Sequence, residues 1–148
     1  MKDNSKIFEF DRASFSDDPN FVFFDFNKIE EIPSELHGYF HMVVIDPPYV
    51  TREVWAKYAE AAHLLLKPDA SSRVLGSTLE ENAGFMNELL GCNKKTFKPF
   101  VPNLVYKYCL YTNYESERLN QPNPEVLPEY DFYAHFPELV PPDDNDGY

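Results

Sequence analysis

Apolar and polar positions follow one another along this chain in blocks that predict alternating strands and helices. Short runs rich in aromatic and β-branched residues predict strands at residues 6–10, 21–24, 42–45 and 73–76. Apolar positions at helical spacing predict a helix from Thr51, its N-cap, to Leu65, and Pro68 lies just beyond its end. Because strands and helices alternate, we expect an α/β fold with a parallel sheet.

The following segment predicts a second helix and two closing strands. Thr78 and Glu81 have the spacing of a capping box, which predicts a helix that begins there and ends at Gly91. Residues 95–100 and 105–112 are rich in aromatic and β-branched residues, which predicts a pair of antiparallel strands.

The most informative stretch is an apolar run that stops at Asp46-Pro47-Pro48-Tyr49. Residues 42–45 are continuously apolar, which predicts a central strand covered on both faces. The prolines lack N–H groups and take the chain out of the sheet where that strand ends. Open α/β sheets bind ligands at this edge, so the four residues are candidates for a ligand site; a plain turn is the alternative.

Charge and cysteine content narrow the class of protein. The net charge is −12, with 25 acidic against 13 basic residues, whereas a nucleic-acid backbone is bound by Lys and Arg. A nucleic-acid partner is therefore disfavoured and a basic protein substrate is favoured. Cys92 and Cys109 are too few for a disulfide scaffold and lack metal-ligand spacing. We expect two buried thiols, a reducing compartment and no bound metal.

The ends of the chain add expectations about location and domain organisation. No apolar run is long enough to span a membrane and residues 1–5 do not open a signal peptide, so we expect a cytoplasmic protein without membrane contact. Residues 1–116 are expected to form the domain, and residues 117–148 a proline-rich acidic tail without regular elements. The acidic end at 143–146 is expected to be solvated.

The loop at 46–49 resembles the catalytic loop of amino-group methyltransferases that use S-adenosylmethionine. Further segments occur in the order and spacing of one subgroup, namely residues 8–11, 21–27, 102–104 and 108–115. That subgroup is the translation elongation factor 1-alpha lysine methyltransferase family, whose members formerly carried the name of N6-adenine-specific DNA methylases. The resemblance covers roughly residues 6–116 and implies a Rossmann-like class I methyltransferase sheet.

The resemblance also implies S-adenosylmethionine as cofactor and residues that bind it. Glu9 is the first candidate for the ribose hydroxyls and Asp11 the second, because an ionised carboxylate accepts both hydrogen bonds. Asp25 would face the adenine amino group and Phe26 would pack on the adenine ring. The alternatives are solvated acids at strand ends and aromatic residues of the core.

The resemblance also implies roles in methyl transfer for the loop at 46–49. Asp46 and the Pro47 carbonyl would orient the amine that receives the methyl group, with Pro48 holding the loop extended. Tyr49 would form a wall of the pocket and stabilise the positive charge that develops on nitrogen. The same acceptors suit an adenine amino group, with Tyr49 stacking on the base. Net charge and family resemblance favour a lysine of elongation factor 1-alpha.

One departure from the family pattern concerns the first strand and its glycine-rich turn, since the first glycine is Gly38. Three interpretations follow: the C-terminal part of a longer enzyme, which we favour, a short relative that no longer binds cofactor, or a chain whose site a partner completes. An open sheet edge would favour self-association. A non-catalytic binding module is therefore the alternative to an enzyme.

Overall fold

The structure, a computed structural model, describes residues 5–48, 50–100 and 107–126. Its strands are β1 (Ile7–Glu9), β2 (Phe21–Phe23), β3 (Met42–Ile45), β4 (Arg73–Leu79), β5 (Asn93–Lys94) and β6 (Tyr108–Thr112). Its α-helices are α1 (Arg12–Phe15), α2 (Arg52–Leu65) and α3 (Ala83–Leu90), and 3-10 turns occur at Ile29–Glu31, Ser34–Leu36 and Glu80–Asn82. No helix in the described ranges is long and apolar enough to cross a bilayer.

The strands form two separate sheets. β1 and β2 pair in parallel, with Ile7 opposite Phe21. The second sheet has the order β3-β4-β6-β5, in which β3 and β4 are parallel and the other pairs antiparallel. The fold is therefore mixed α/β, as the alternation of strands and helices predicts.

β3 lies at the edge of its sheet within the described part of the chain. Ile45 is buried, whereas the side chains of Met42 and Val44 are 41% and 64% exposed. The predicted strand is confirmed at Met42–Ile45, but the expectation of burial on both faces is wrong. A run of apolar residues shows that both faces suit burial, and it does not show what covers each of them.

α2 anchors the larger sheet. Thr51 Oγ1 accepts a hydrogen bond from the Val54 N–H, so the predicted N-cap is confirmed. Trp55, which is 0% exposed, packs with Ile45 and Val74 in the main core cluster. The helix therefore holds the residues that follow the proline loop firmly against the sheet.

The predicted capping box at Thr78 is wrong. Thr78 lies inside β4, opposite Cys109, and is fully buried. Its Oγ accepts a hydrogen bond from Asn82 Nδ2, and α3 begins only after a 3-10 turn. Pairing with β6 keeps the chain extended through the segment whose local sequence favours a helix start.

The predicted end of α3 is confirmed, whereas the strand predicted after it is not. Gly91 has φ +63° and its N–H donates to the Asn87 carbonyl, so the predicted helix end is confirmed. The strand predicted at 95–100 is wrong, because β5 is limited to Asn93–Lys94. The antiparallel strand predicted after it is confirmed as β6, while residues 101–106 lie outside the described residues.

Residues 117–126, placed in the tail by the sequence, lie against the segment after β5. The Phe97 N–H donates to the Leu119 carbonyl at 2.9 Å. Asn123 Nδ2 donates to the Lys98 carbonyl at 2.9 Å, and the Asn123 side chain is buried. The remainder of the predicted tail, including 143–146, lies outside the described residues.

Both cysteines are free and fully buried, as predicted, and burial protects them from reaction. Burial raises the pKa of the Cys92 thiol to about 11, and it also raises the pKa of Cys109. Because the thiolate is the reactive form, we expect neither thiol to react with dithionitrobenzoic acid in the folded chain at about pH 8. The absorbance assay should detect both thiols once guanidinium unfolds the chain. If the folded chain rapidly released one equivalent of thionitrobenzoate, one of the two cysteines would be accessible and its burial would be contradicted.

Candidate active site

A cavity of about 700 Å³ lies where β1 and β3 end, and we call it the strand-end cavity. Its size falls in the range of small-molecule sites. β4 and β6 border it from the other side. The residues that line it are Glu9, Asp11, Phe15, Asp46, Pro47, Pro48, Ser77, Pro99 and Tyr108.

Two acids reach the strand-end cavity from β1 and the turn after it. Glu9 is the last residue of β1, and its Oε1 accepts a hydrogen bond from the Phe10 N–H at 2.7 Å. Asp11 is the N-cap of α1, where Oδ1 accepts from the Ala13 N–H and Oδ2 from Ser14 Oγ. The Ser14 side-chain bond, with the backbone bonds of Ser14 and Ala13, lowers the pKa of Asp11.

The two acids therefore differ in the acceptor capacity that they offer a ligand. Asp11 uses both carboxylate oxygens to hold the first turn of α1. Glu9 uses one oxygen in a single bond, and a carboxylate has about four lone-pair sites. Glu9 therefore offers a ligand more unused acceptor sites than Asp11, and the predicted roles of both acids stay predictions.

Asp46 enters the strand-end cavity from β3. It follows the buried Ile45 and is itself exposed, Pro47 is buried, and Pro48 is exposed. The prolines take the loop away from the sheet, because they cannot donate to a neighbouring strand. An exposed carboxylate at the edge of a cavity is an acceptor suited to an amine or ammonium group.

The remaining predicted site residues have different positions. Asp25 lies in the turn after β2, where its Oδ1 accepts from the Asn27 N–H. Phe26 packs against Tyr58 with ring centroids 5.7 Å apart. Neither Asp25 nor Phe26 lines the strand-end cavity. Tyr49 lies outside the described residues, so its predicted role as a wall is untested.

Sequence reasoning missed the wall formed by Ser77 and Tyr108. Ser77 lies beyond the predicted strand at 73–76, because β4 continues to Leu79. β6 is antiparallel to β4, so its first residue, Tyr108, pairs with Leu79 at the carboxyl end of β4. The predicted antiparallel strand could have indicated the position of Tyr108, since an antiparallel strand begins beside the carboxyl end of its neighbour.

A second cavity of about 480 Å³ lies between β1 and β3, and we call it the sheet groove. Its floor is the side of α2 formed by Tyr58, Ala61, Ala62 and Leu65. The loop at 46–48, and Glu9 at the end of β1, border both the sheet groove and the strand-end cavity.

Comparison with known proteins identifies the family to which this chain belongs. Residues 1–116 match the family described as "Probable N6-adenine methyltransferase". The match covers most of the chain, so this chain belongs to that methyltransferase family, and the family predicted from the motifs is confirmed. No solved structure matches the chain at a significant level.

Individual relatives specify a subgroup of that family. EEF1A lysine methyltransferase 1 of Homo sapiens is 32% identical over 115 residues, which cover 74% of this chain and 50% of the human protein. The Danio rerio protein of that name is 32% identical over 122 residues, covering 77% of this chain and 68% of its own length. A protein-lysine N-methyltransferase of Dictyostelium discoideum is 28% identical over 123 residues, covering 81% and 57%. The chain spans about half the length of the human relative.

Proposed function

We propose that this chain carries the site of an S-adenosylmethionine-dependent protein-lysine N-methyltransferase that acts on translation elongation factor 1-alpha. The observation that carries the proposal is the meeting of Glu9 and Asp46 at one cavity, at the ends of β1 and β3. Relatives whose names specify lysine methylation of EEF1A support the substrate. The proposal includes a Rossmann-like arrangement of the sheets and a cytoplasmic location.

The residues at the strand-end cavity fit the proposed cofactor at its ribose. When bound, S-adenosylmethionine supplies a methyl group on a sulfonium sulfur. The Glu9 carboxylate would accept hydrogen bonds from the two ribose hydroxyls, since only one of its lone-pair sites is used by the Phe10 N–H. Asp25 and Phe26, proposed for adenine, lie in the turn that follows β2.

Asp46 and the Pro47 carbonyl would bind and orient the lysine side chain. A lysine with a solution pKa of about 10.4 must lose one proton before its nitrogen can accept a methyl group. The carboxylate attracts the ammonium form, and the remaining N–H groups then donate to Asp46 and the Pro47 carbonyl, which leaves the lone pair free. The proton would leave to solvent, because Asp46 is exposed.

The second candidate function is N6-adenine methylation of nucleic acid. The family description names this reaction, and an adenine amino group could use the same acceptors at Asp46 and Pro47. The net charge of −12 opposes it, because phosphate groups would be repelled from an acidic surface. Methylation assays that offer both substrates distinguish the two functions.

Cofactor binding by Glu9 provides the direct test. We expect the chain to bind S-adenosylmethionine in a calorimetric titration, and Glu9→Gln to weaken binding by about tenfold or more, since bonds to a charged acceptor contribute about 1.5–3 kcal/mol. Asp25→Ala measures the proposed adenine contact separately.

Glu60→Gln is the matched control for this titration, because Glu60 is an exposed acid on α2 and lines neither cavity. Unchanged affinity in Glu9→Gln would contradict the assignment of Glu9. A chain that binds elongation factor 1-alpha but no cofactor would instead be a non-catalytic binding module.

A further inference from the structure

Charge is distributed unevenly along this chain. Residues 89–114 contain four lysines and no acidic residue, although the whole chain has 25 acidic residues and a net charge of −12. The lysines are Lys94, Lys95, Lys98 and Lys107. A positive segment in an acidic protein attracts a different class of partner from the rest of the surface. The position of these lysines in the fold therefore indicates where such a partner would bind.

Three of the lysines gather around one carboxylate at the carboxyl end of β4. Lys94 Nζ lies 2.5 Å from Glu80 Oε1, and Lys98 Nζ lies 4.0 Å from Glu80 Oε2. The Glu80 N–H donates to the Lys107 carbonyl at 3.0 Å, which places Lys107 beside the same residue. The hydrogen bond from Lys94, together with the charges of all three lysines, lowers the pKa of Glu80, since nearby positive charge favours the ionised carboxylate.

We call Lys94, Lys98 and Lys107 the lysine patch. The side chains of Lys94 and Lys98 are 41% and 38% exposed, and Lys107 is also exposed. Lys94 and Lys98 share the single carboxylate of Glu80, so one carboxylate is divided between two ammonium groups. Even when the exposed neighbour Glu81 is counted, the three lysines outnumber the two carboxylates. The patch is therefore a local positive surface on an acidic protein.

Lys95 differs from the other three lysines. Its side chain is 4% exposed, and its Nζ lies 3.2 Å from Glu115 Oε1. Asn120 Nδ2 donates to the other oxygen of Glu115 at 2.9 Å, which holds this carboxylate in place. Lys95 therefore holds the segment after β6 against the domain and is not part of the lysine patch.

The lysine patch adjoins the strand-end cavity. Pro99 and Tyr108 line this cavity, and they directly follow Lys98 and Lys107 in the chain. The three acids that line the cavity come from the other side, at the ends of β1 and β3 and in the turn after β1. A polypeptide that crosses the cavity would therefore lie between carboxylates on one side and lysines on the other.

A short acidic segment of a protein suits this patch better than a nucleic acid does. Charges are screened over about 8 Å at physiological salt, so a short segment on the patch responds to the nearby lysines and little to distant acids. A nucleic acid has a charge at every nucleotide and would extend over the acidic remainder of the surface. Carboxylates of Asp or Glu can instead form local charge-assisted hydrogen bonds with the ammonium groups.

We propose that the lysine patch binds an acidic segment of the protein substrate, adjacent in sequence to the lysine that is methylated. The inference rests on the proposed function, since that lysine would enter the strand-end cavity at Asp46. An extended chain advances about 3.3–3.6 Å per residue, so an acid a few residues from the lysine can reach the rim of the cavity. The patch selects among the exposed lysines of the substrate, because a carboxylate such as Asp46 attracts any ammonium group.

Binding of labelled peptides tests the patch without any methyl transfer. Two peptides of about 12 residues, roughly 40 Å when extended, have one central lysine flanked either by Asp and Glu or by Asn and Gln. We expect the full chain to bind the acidic peptide about tenfold more tightly in fluorescence anisotropy at low salt, since several ion pairs contribute. The difference should shrink at about 1 M salt, where the screening length is about 3 Å. Equal affinity for the two peptides at low salt would overturn the proposal.

Reversal of charge at two positions locates the contact. Lys98→Glu combined with Lys107→Glu should abolish the preference for the acidic peptide and favour a third peptide flanked by Lys and Arg, a reversal that loss of folding cannot produce. Lys98→Arg combined with Lys107→Arg keeps both charges and should bind like the unmutated chain.

The matched control is Arg73→Glu combined with Arg118→Glu, which changes the net charge by the same amount. Both residues are exposed and line neither cavity. The control should retain the preference for the acidic peptide. If it lost this preference as the patch variant does, net charge would explain the effect and the assignment of the lysine patch would be wrong.

Methylation of recombinant elongation factor 1-alpha separates this inference from the proposed function. We expect Lys98→Glu combined with Lys107→Glu to raise KM about tenfold and to leave kcat nearly unchanged, since the patch binds substrate away from the reacting nitrogen. Methylation with unchanged KM would overturn the patch and leave the proposed function intact. Failure of the unmutated chain to methylate, with the peptide preference retained, would overturn the proposed function and support the patch as a site for acidic polypeptide. Tighter binding of a single-stranded oligonucleotide than of the acidic peptide, lost in the same variant, would overturn the proposed partner.

Discussion

Asp46→Asn is expected to lower kcat for the proposed methylation of elongation factor 1-alpha by about 10- to 100-fold, because it removes the charge that is proposed to hold the amine in the strand-end cavity. Asn has nearly the same shape, so the loop at 46–48 should keep its conformation. A hydrogen bond to a charged acceptor contributes about 1.5–3 kcal/mol, which corresponds to that range of rate. The measurement is transfer of labelled methyl from S-adenosylmethionine to recombinant elongation factor 1-alpha.

The design separates chemistry from binding and from general charge effects. The assay compares kcat and KM of the unmutated 148-residue chain with those of each variant. Asp17→Asn is the matched control, since Asp17 is an exposed acid that lines neither cavity. Unchanged kcat in Asp46→Asn would exclude a catalytic role for this carboxylate. A rise in KM alone would mean that Asp46 recruits lysine without stabilising the transition state.

The part of the site that could be predicted from sequence is the part determined by local signals. Asp46 and its prolines follow an apolar run, and Glu9 lies in the last part of a predicted short strand, so both residues could be placed near strand ends. The carboxyl ends of β1 and β3 then meet at one cavity, as expected for an α/β fold. Candidate acids could therefore be named from their positions relative to predicted strands.

The parts that could not be predicted depend on partners distant in sequence. Ser77 and Tyr108 border the strand-end cavity because β4 extends through Thr78 to pair with β6. The local sequence at Thr78 favours a helix start, and pairing with Cys109 overrides this preference. No local pattern reports such pairing.

The exposure of Val44 illustrates a different limit. Its apolar side chain suited a strand covered on both faces, yet it is 64% exposed. An apolar side chain shows that burial would be favourable. Which residues cover it depends on the tertiary fold and cannot be read from the strand itself. The exposure of Val44 coincides with the position of β3 at the edge of its sheet within the described residues.

Trp55→Ala should have the largest effect on stability, a loss of about 3–5 kcal/mol, because it leaves a cavity in the main core. Trp55 is 0% exposed and packs with Met86 and Tyr111. It lies so close to Gly76 that a Cβ there would be 3.2 Å from Trp55 Cη2. The free energy of unfolding should be measured by urea titration followed by circular dichroism. Small domains have total stabilities of about 5–15 kcal/mol, so the variant should be partly unfolded in the absence of denaturant if the chain lies near the lower limit.

Trp55→Phe tests how much of the stability loss comes from the lost volume of the aromatic side chain. The Trp55 indole N–H has no hydrogen-bond partner among the described residues, so replacing the indole removes an unsatisfied donor together with part of the ring. We expect a smaller loss of stability than in Trp55→Ala. Phe100→Ala is the exposed aromatic control, at 54% exposure, and should change stability by less than about 0.5 kcal/mol.

The consequence of Trp55→Ala for the site follows from its position in the first turns of α2. The helix begins at Arg52, directly after the proline loop, and Trp55 fixes this end against β3 and β4. Loss of the indole should therefore weaken binding of S-adenosylmethionine in the fraction that stays folded, while Trp55→Phe retains it. If Trp55→Ala were destabilised and its folded fraction still bound cofactor normally, the position of the 46–48 loop would depend on the sheet rather than on α2.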